Sequence, residues 1–111
     1  MPGFVPYLQC HVEPDGACVL VRPVGEIDLG SAQVVEDALR AAKGRGADHV
    51  LLDLARVTFM DSTGIHLLVR WTAAAQRDGF AFRVAPGDGP VRRVLELTGV
   101  LDALPVTEPI A

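Results

Sequence analysis

The chain predicts an α/β domain. It should be a mixed β-sheet with an antiparallel N-terminal strand pair and α-helices packed on it, in the order β-β-α-β-α-β-α. Three observations carry this. Two strand-like runs flank Pro14-Asp15-Gly16 near the N-terminus. The segment Asp48 to Leu54 is almost continuously apolar, as in a strand covered on both faces with parallel neighbours. Stretches of helical periodicity alternate with the strands that follow.

In order, Leu8 to Val12 and Ala17 to Val24 are the paired strands. With Glu13-Pro14-Asp15-Gly16 as their turn, Cys10 faces Val19 and His11 faces Cys18, so the two thiols are offset and stay reduced. Arg22 and Pro23 place the end of the second strand near a sheet edge or the sheet's end. Gly25-Glu26-Ile27-Asp28-Leu29-Gly30 reads as a polar connection, with Ser31 as N-cap of a helix over Ala32 to Lys43. On that helix Ala32, Val35, Leu39 and Ala42 share one face, while Gln33, Glu36, Asp37, Arg40 and Lys43 point away. Gly44-Arg45-Gly46 stops it.

After the central strand and a short connection, a second helix runs from Ser62 or Thr63 to Arg77. Ile65, Leu68, Val69 and Thr72 make one stripe, and Leu67, Trp71 and Ala74 another. Such a helix either buries more than one side or presents one to a partner. Asp78-Gly79 ends it, Phe80 to Ala85 alternates as a strand, and Pro86 to Pro90 is a turn with Asp88 as cap and Pro90 at the first helical position. Val91, Val94, Leu95 and Thr98 define a last short helix ended by Gly99. Leu101 to Val106 adds an edge strand or a final turn, and Thr107 to Ala111 is a frayed tail.

At 111 residues the chain is one domain, 1–111, with its core at about 8–106. The net charge of −4 argues against a nucleic-acid surface, which needs a concentrated basic face. No apolar run is long enough to insert in a membrane, and Met1-Pro2-Gly3-Phe4 lacks a secretory pattern, so the cytoplasm is the default compartment.

Chemistry is sparse. There is no Gly-x-Ser-x-Gly elbow, phosphate loop or His-Glu-x-x-His. His11, His49 and His66 share no ligand spacing with either cysteine, so neither a metal nor a cofactor is expected. Asp61-Ser62-Thr63-Gly64 differs from the aspartic-protease loop by an extra residue between Asp and Gly. Ser62 as a nucleophile would have His66, one turn on, as its only visible base, with no third group to orient it. No catalytic residue is assigned. On sequence physics alone, Ser62 at a helix start is an N-cap worth about 1 kcal/mol.

Three segments change that reading: Val24-Gly25-Glu26-Ile27-Asp28, Leu52-Asp53-Leu54 with Val57-Thr58-Phe59-Met60-Asp61-Ser62-Thr63-Gly64, and Val91-Arg92-Arg93-Val94-Leu95-Glu96-Leu97-Thr98-Gly99. In order and spacing they resemble the STAS family, most closely its small free-standing anti-sigma factor antagonists, from Leu8 to Val106. The resemblance implies a STAS-like fold and a regulatory protein-binding domain rather than an enzyme. It implies that an anti-sigma factor serine kinase phosphorylates Ser62 (Thr63 being the lesser acceptor), and that a serine phosphatase reverses this. The unphosphorylated form would bind the anti-sigma factor and free a sigma factor for transcription in a stress response by partner switching.

Glu26, Asp28, Met60, Asp61, Ser62, Thr63, Gly64 and His66 would form the partner surface of a monomer or weak dimer. His66 departs from the small residue common at its position in these antagonists, and it would either hydrogen-bond a phosphate on Ser62 or crowd the partner's approach. The tail is short, so the last helix of longer relatives would be missing or incomplete. The alternative role within the family is a subunit of a larger signalling (stressosome-like) or lipid-transport complex.

Overall fold

The computed structural model describes residues 5–107; part of the expected frayed tail, 108–111, lies outside them. The elements are β1 (Leu8–Asp15), β2 (Cys18–Ile27), α1 (Ala32–Gly44), β3 (His49–Asp53), β4 (Val57–Met60), α2 (Ser62–Asp78), β5 (Ala81–Ala85) and α3 (Pro90–Leu97), followed by a single 3-10 turn at Leu101–Ala103. The strands form one sheet in the order β1-β2-β3-β5, with β4 also paired to β2. The β1–β2 pair is antiparallel. Each of the other pairings is parallel, so β3 lies between parallel neighbours as its apolar run predicts.

The sheet's two faces differ. Val19, Val21, Val50, Leu52, Phe82 and Val84 join the main core with Val35 and Leu39 of α1 and Leu67, Leu68 and Trp71 of α2. The opposite face carries a small separate cluster of Leu20, Leu51 and Ala85. Beside it Arg22 bridges Glu13 at 3.3 Å and Asp53 at 3.2 Å across three strands. On α2, Leu67, Leu68, Trp71 and Ala75 are buried while Val69 is exposed, so most of the apolar girth goes into the domain.

Several sequence expectations are corrected. The hairpin loop is the pair Gly16-Ala17, not Glu13 to Gly16. Asp15 pairs with Cys18, His11 with Arg22, and Cys10 with Pro23, where Cys10–Val19 and His11–Cys18 were expected. Pro14 is tolerated because β1 is an edge strand, and Gly16 supplies the positive φ of 64° that closes a two-residue loop. Both cysteines are free thiols.

β2 does not end near Pro23 but continues through Ile27 in the sheet interior, so the expected polar connection from Gly25 is partly strand. Along one edge, β3 pairs as far as Val21 and β4 begins at Gly25, which leaves Pro23 in the gap where no ladder bond is needed from it. The connection after β3 contains β4, a four-residue strand whose middle residues Thr58 and Phe59 are exposed.

At the helix ends, Ser31 occupies the N-cap position of α1 without making a side-chain cap bond. Glu36 is buried rather than pointing away. Gly89, not Asp88, is the N-cap of α3, with Pro90 in its first turn; the Asp88 carboxylate is in solvent, 3.7 Å from Arg92. Leu101 to Val106 contributes both the turn and one parallel bridge, Val84 to Val106. Thr107 is not frayed: its N–H donates to the Val84 carbonyl at 2.9 Å.

Cys10 packs partly buried against the main core. Burial pushes its thiol up to about 11 from 9.0. At pH 8 its thiolate fraction, and hence its alkylation rate by iodoacetamide, is expected to be about 100-fold below that of an unperturbed thiol. Peptide mapping of the labelled protein checks this; alkylation of Cys10 at the rate of a free peptide thiol would contradict it.

Candidate functional site

The site is assembled where β2 and β4 end side by side. Register places Glu26 beside Phe59 and Ile27 beside Met60, after a shift between Gly25 and Glu26. Glu26 and Phe59 are exposed neighbours, whereas Ile27 and Met60 face inward. The chain then leaves β4 through Asp61, whose N–H donates to the Ile27 carbonyl at 3.2 Å. That bond ties the start of α2 to the end of β2.

Asp61 is the N-cap of α2. Its φ of −99° and ψ of −169° are extended, and its carboxylate accepts the Thr63 N–H at 2.9 Å. The capping role assigned to Ser62 thus belongs to its neighbour. Ser62 is the first residue of the helix and is exposed; Thr63 is half-buried. His66 is exposed one turn along from Ser62.

Gly64 is buried. A Cβ there would lie 2.5 Å from Cγ of Met60 and 3.1 Å from Cγ2 of Ile27, so the glycine is required from inside, by the packing of α2 on the strand ends. Met60, expected at the partner surface, is buried beneath Gly64 and does not reach that surface.

The second wall is the loop after β2. Asp28 Oδ1 accepts the N–H groups of Gly30 at 2.9 Å and Ser31 at 3.1 Å, and the Tyr7 hydroxyl at 2.9 Å. Ser31 is fully buried; its hydroxyl donates to the Glu26 carbonyl at 2.7 Å and accepts the Asp28 N–H at 2.9 Å. The loop is therefore pinned on both sides. Burial alone would raise the Asp28 carboxyl pKa, but the donors from Tyr7, Gly30 and Ser31 outweigh it and hold it below its usual value. The Tyr7 phenol is pushed up, chiefly by donating its proton to Asp28. Between this loop and α2 lies a groove of about 220 Å³ bordered by Leu29, Gln33, Thr63, Leu67 and Arg70.

Of the residues singled out from sequence, Glu26, Asp28, Asp61, Ser62 and Thr63 therefore gather around two adjoining strand ends, with His66 one turn further on. Sequence reasoning missed Tyr7 and gave Ser31 only a capping role, whereas both hold the Asp28 loop through contacts remote in sequence or hidden in a turn. It also missed Phe59 and Leu29, 48% and 83% exposed, which put apolar surface beside Ser62's neighbours. The unpartnered apolar residue in Thr58-Phe59-Met60 was the available signal. No cluster of three or more His, Cys, Asp or Glu residues fit to hold a metal occurs among the described residues.

The STAS domain model matches residues 10–110. An anti-sigma F factor antagonist of Paenibacillus polymyxa is 27% identical over 100 residues, covering 89% of this chain and 86% of that protein. An anti-sigma-B factor antagonist of Staphylococcus epidermidis is 28% identical over 88 residues, 79% of this chain and 82% of that one. The crystal structure of an anti-sigma factor antagonist from Mycobacterium paratuberculosis aligns with a TM-score of 0.75 at 28% identity, covering 99% of this chain and 90% of that one. The mixed sheet with its antiparallel first pair and three helices matches STAS domain structures. With the family model spanning nearly the whole chain, the protein belongs to the STAS domain family.

Proposed function

We propose that the protein is an anti-sigma factor antagonist. In its unphosphorylated form it binds an anti-sigma factor that is also a serine kinase, which releases a sigma factor for transcription. Phosphorylation of Ser62 by that kinase ends the binding, and a serine phosphatase restores it. The names of the relatives support the general role. The observation that carries the switch is the exposure of Ser62 at the first position of α2, on backbone held by the Asp61 cap and the Asp61–Ile27 bond.

The physics of that position suits a switch. A phosphate adds roughly −1.5 to −2 charges at neutral pH. At a helix N-terminus the free backbone N–H groups and the helix dipole tolerate such an anion, so the domain stays folded. A partner packed over Ser62 would have to bury the dianion beside the Asp61 carboxylate, and its affinity falls without a large conformational change. Ser62 is favoured over Thr63 as acceptor because Thr63 is half-buried against the groove. His66, exposed one turn away, would donate to the phosphate, more strongly when protonated.

The test is intact-mass analysis of wild type and Ser62→Ala after incubation with ATP and each candidate anti-sigma kinase of the source organism. One added phosphate is expected on wild type and none on Ser62→Ala, and Ser62→Asp should no longer retain the anti-sigma factor in a pull-down. Absence of phosphate with any kinase, together with stoichiometric membership of a high-mass or membrane-protein complex, would favour the alternative role as a subunit of such an assembly. An unchanged dephosphorylation rate and phosphoserine pKa in His66→Gly would remove His66 from the mechanism.

A further inference from the structure

Four of the chain's ten Lys and Arg residues, and two of its fourteen Asp and Glu, line one groove between the C-terminal halves of α1 and α2. The groove encloses about 490 Å³, with Trp71 and Phe80 among its lining residues. Arg40 and Lys43 stand on α1, Arg70 and Arg77 on α2.

The two acidic groups are already engaged. Glu36 is buried, giving one carboxylate oxygen to Arg70 at 2.6 Å and the other to the Trp71 indole N–H. Asp78 pairs with Arg77 at 3.1 Å. Among the described residues, no carboxylate comes within ion-pair distance of Arg40 or Lys43. Lys43 Nζ sits 4.6 Å over the Phe80 ring, which holds its charge at the groove wall. An acidic protein thus carries a groove with two more cations than carboxylates.

The spacing of the cations bears on what fills it. Arg70 and Arg77 are two helical turns apart, about 10 Å along the axis, and Arg40 and Lys43 are one turn apart on the facing helix. One phosphate cannot bridge such a span, whereas carboxylates recurring along a peptide can. Ala73 and Ala74 project only methyl groups between the arginines, which leaves room for a second backbone.

We infer that this groove is a docking site for an acidic segment of a protein partner. It adjoins the groove beside Thr63 through Glu36 and Arg70, but Arg40 and Lys43 line only this one of the two, so variants at those two positions test it separately from the phosphorylation switch.

The test is amide NMR on the full chain titrated with a synthetic Glu- and Asp-rich peptide. A Lys-rich peptide of equal length and inorganic phosphate serve as competing probes. Saturable shifts are expected at Arg40, Lys43, Arg70, Ala73, Ala74 and Arg77, weakening as salt rises. Affinity should fall about tenfold or more in Arg40→Glu/Lys43→Glu and by less in Arg40→Gln/Lys43→Gln, both folded by their spectra because the two side chains are exposed. The inference is overturned if no shifts saturate, if they map elsewhere, or if the folded charge-reversal variant binds as wild type does. It is also overturned if phosphate saturates the same amides and displaces the peptide, which would make the groove a simple anion site.

Discussion

Gly25→Ala is expected to destabilise the domain by about 3 kcal/mol or more, a large fraction of the ~5–15 kcal/mol typical of a small domain. Gly25 has φ of 122°, where an L side chain is strained. A Cβ there would also lie 2.1 Å from the Tyr7 carbonyl oxygen and 3.2 Å from the Leu8 Cα. Both obstacles are backbone, so no rotamer change relieves them. The Glu26 N–H donates to that same Tyr7 carbonyl at 3.0 Å, and the Gly25 N–H donates to the Arg56 carbonyl at 3.2 Å. Room for a methyl therefore requires the start of β1 to part from β2, or β2 from the segment leading into β4. Since Ile27 of the same strand holds Asp61, the strain reaches the start of α2. Urea unfolding should show the midpoint lowered by about 1–3 M, given slopes of about 1–3 kcal/mol per M. A variant with the wild-type midpoint would refute this account of the Gly25-Glu26-Ile27-Asp28 segment.

Glu36→Ala is the second large effect, expected at about 2–3 kcal/mol, with Glu36→Gln at about 1 kcal/mol and Arg70→Ala below that. Glu36 accepts the Trp71 indole N–H, and Trp71 is 8% exposed and packed on Phe80 and Phe82 with ring centroids 6.1 and 6.2 Å away. Deleting the carboxylate leaves that buried donor without its acceptor, since the neighbouring groove side chains are chiefly cations that cannot accept. Glutamine keeps an acceptor for it and loses only the ion pair. Arg70 has 59% of its side chain exposed, so its charge is recovered by water when the partner goes, and its removal costs little. Trp71 is the chain's one tryptophan, so its fluorescence follows both the unfolding transition and any local opening. The order of the three variants is the informative result. Arg70→Ala more damaging than Glu36→Ala would mean that the ion pair, and not the indole bond, holds α1 to α2.

The sequence determined the α/β class, the order of the longer elements and the family, because each rests on information local in the chain. The 3.6-residue spacing of Ala32, Val35, Leu39 and Ala42 marks a helix whatever it packs on. The uninterrupted run of β3 marks burial on both faces, and Asp61 to Gly64 marks a helix start. The exposed Ser62 at that start follows from the same local signals.

Tertiary structure decided what depends on a distant partner. β4 has only four residues, two of them exposed, and becomes a strand because β2 runs long enough to offer an edge beyond β3. The hairpin register was settled by Gly16 rather than by the Pro14 that draws attention in sequence. Pro23 is acceptable inside the sheet only because two neighbours leave a gap at its position. Glu36 sits beside exposed polar residues in the helical pattern, and nothing local shows that Trp71, 35 residues on, takes its second oxygen. Periodicity reports which side of an element is apolar. It carries no record of which polar groups will meet when the elements fold together, and at Asp28, Ser31 and Glu36 those meetings shape the surface around Ser62.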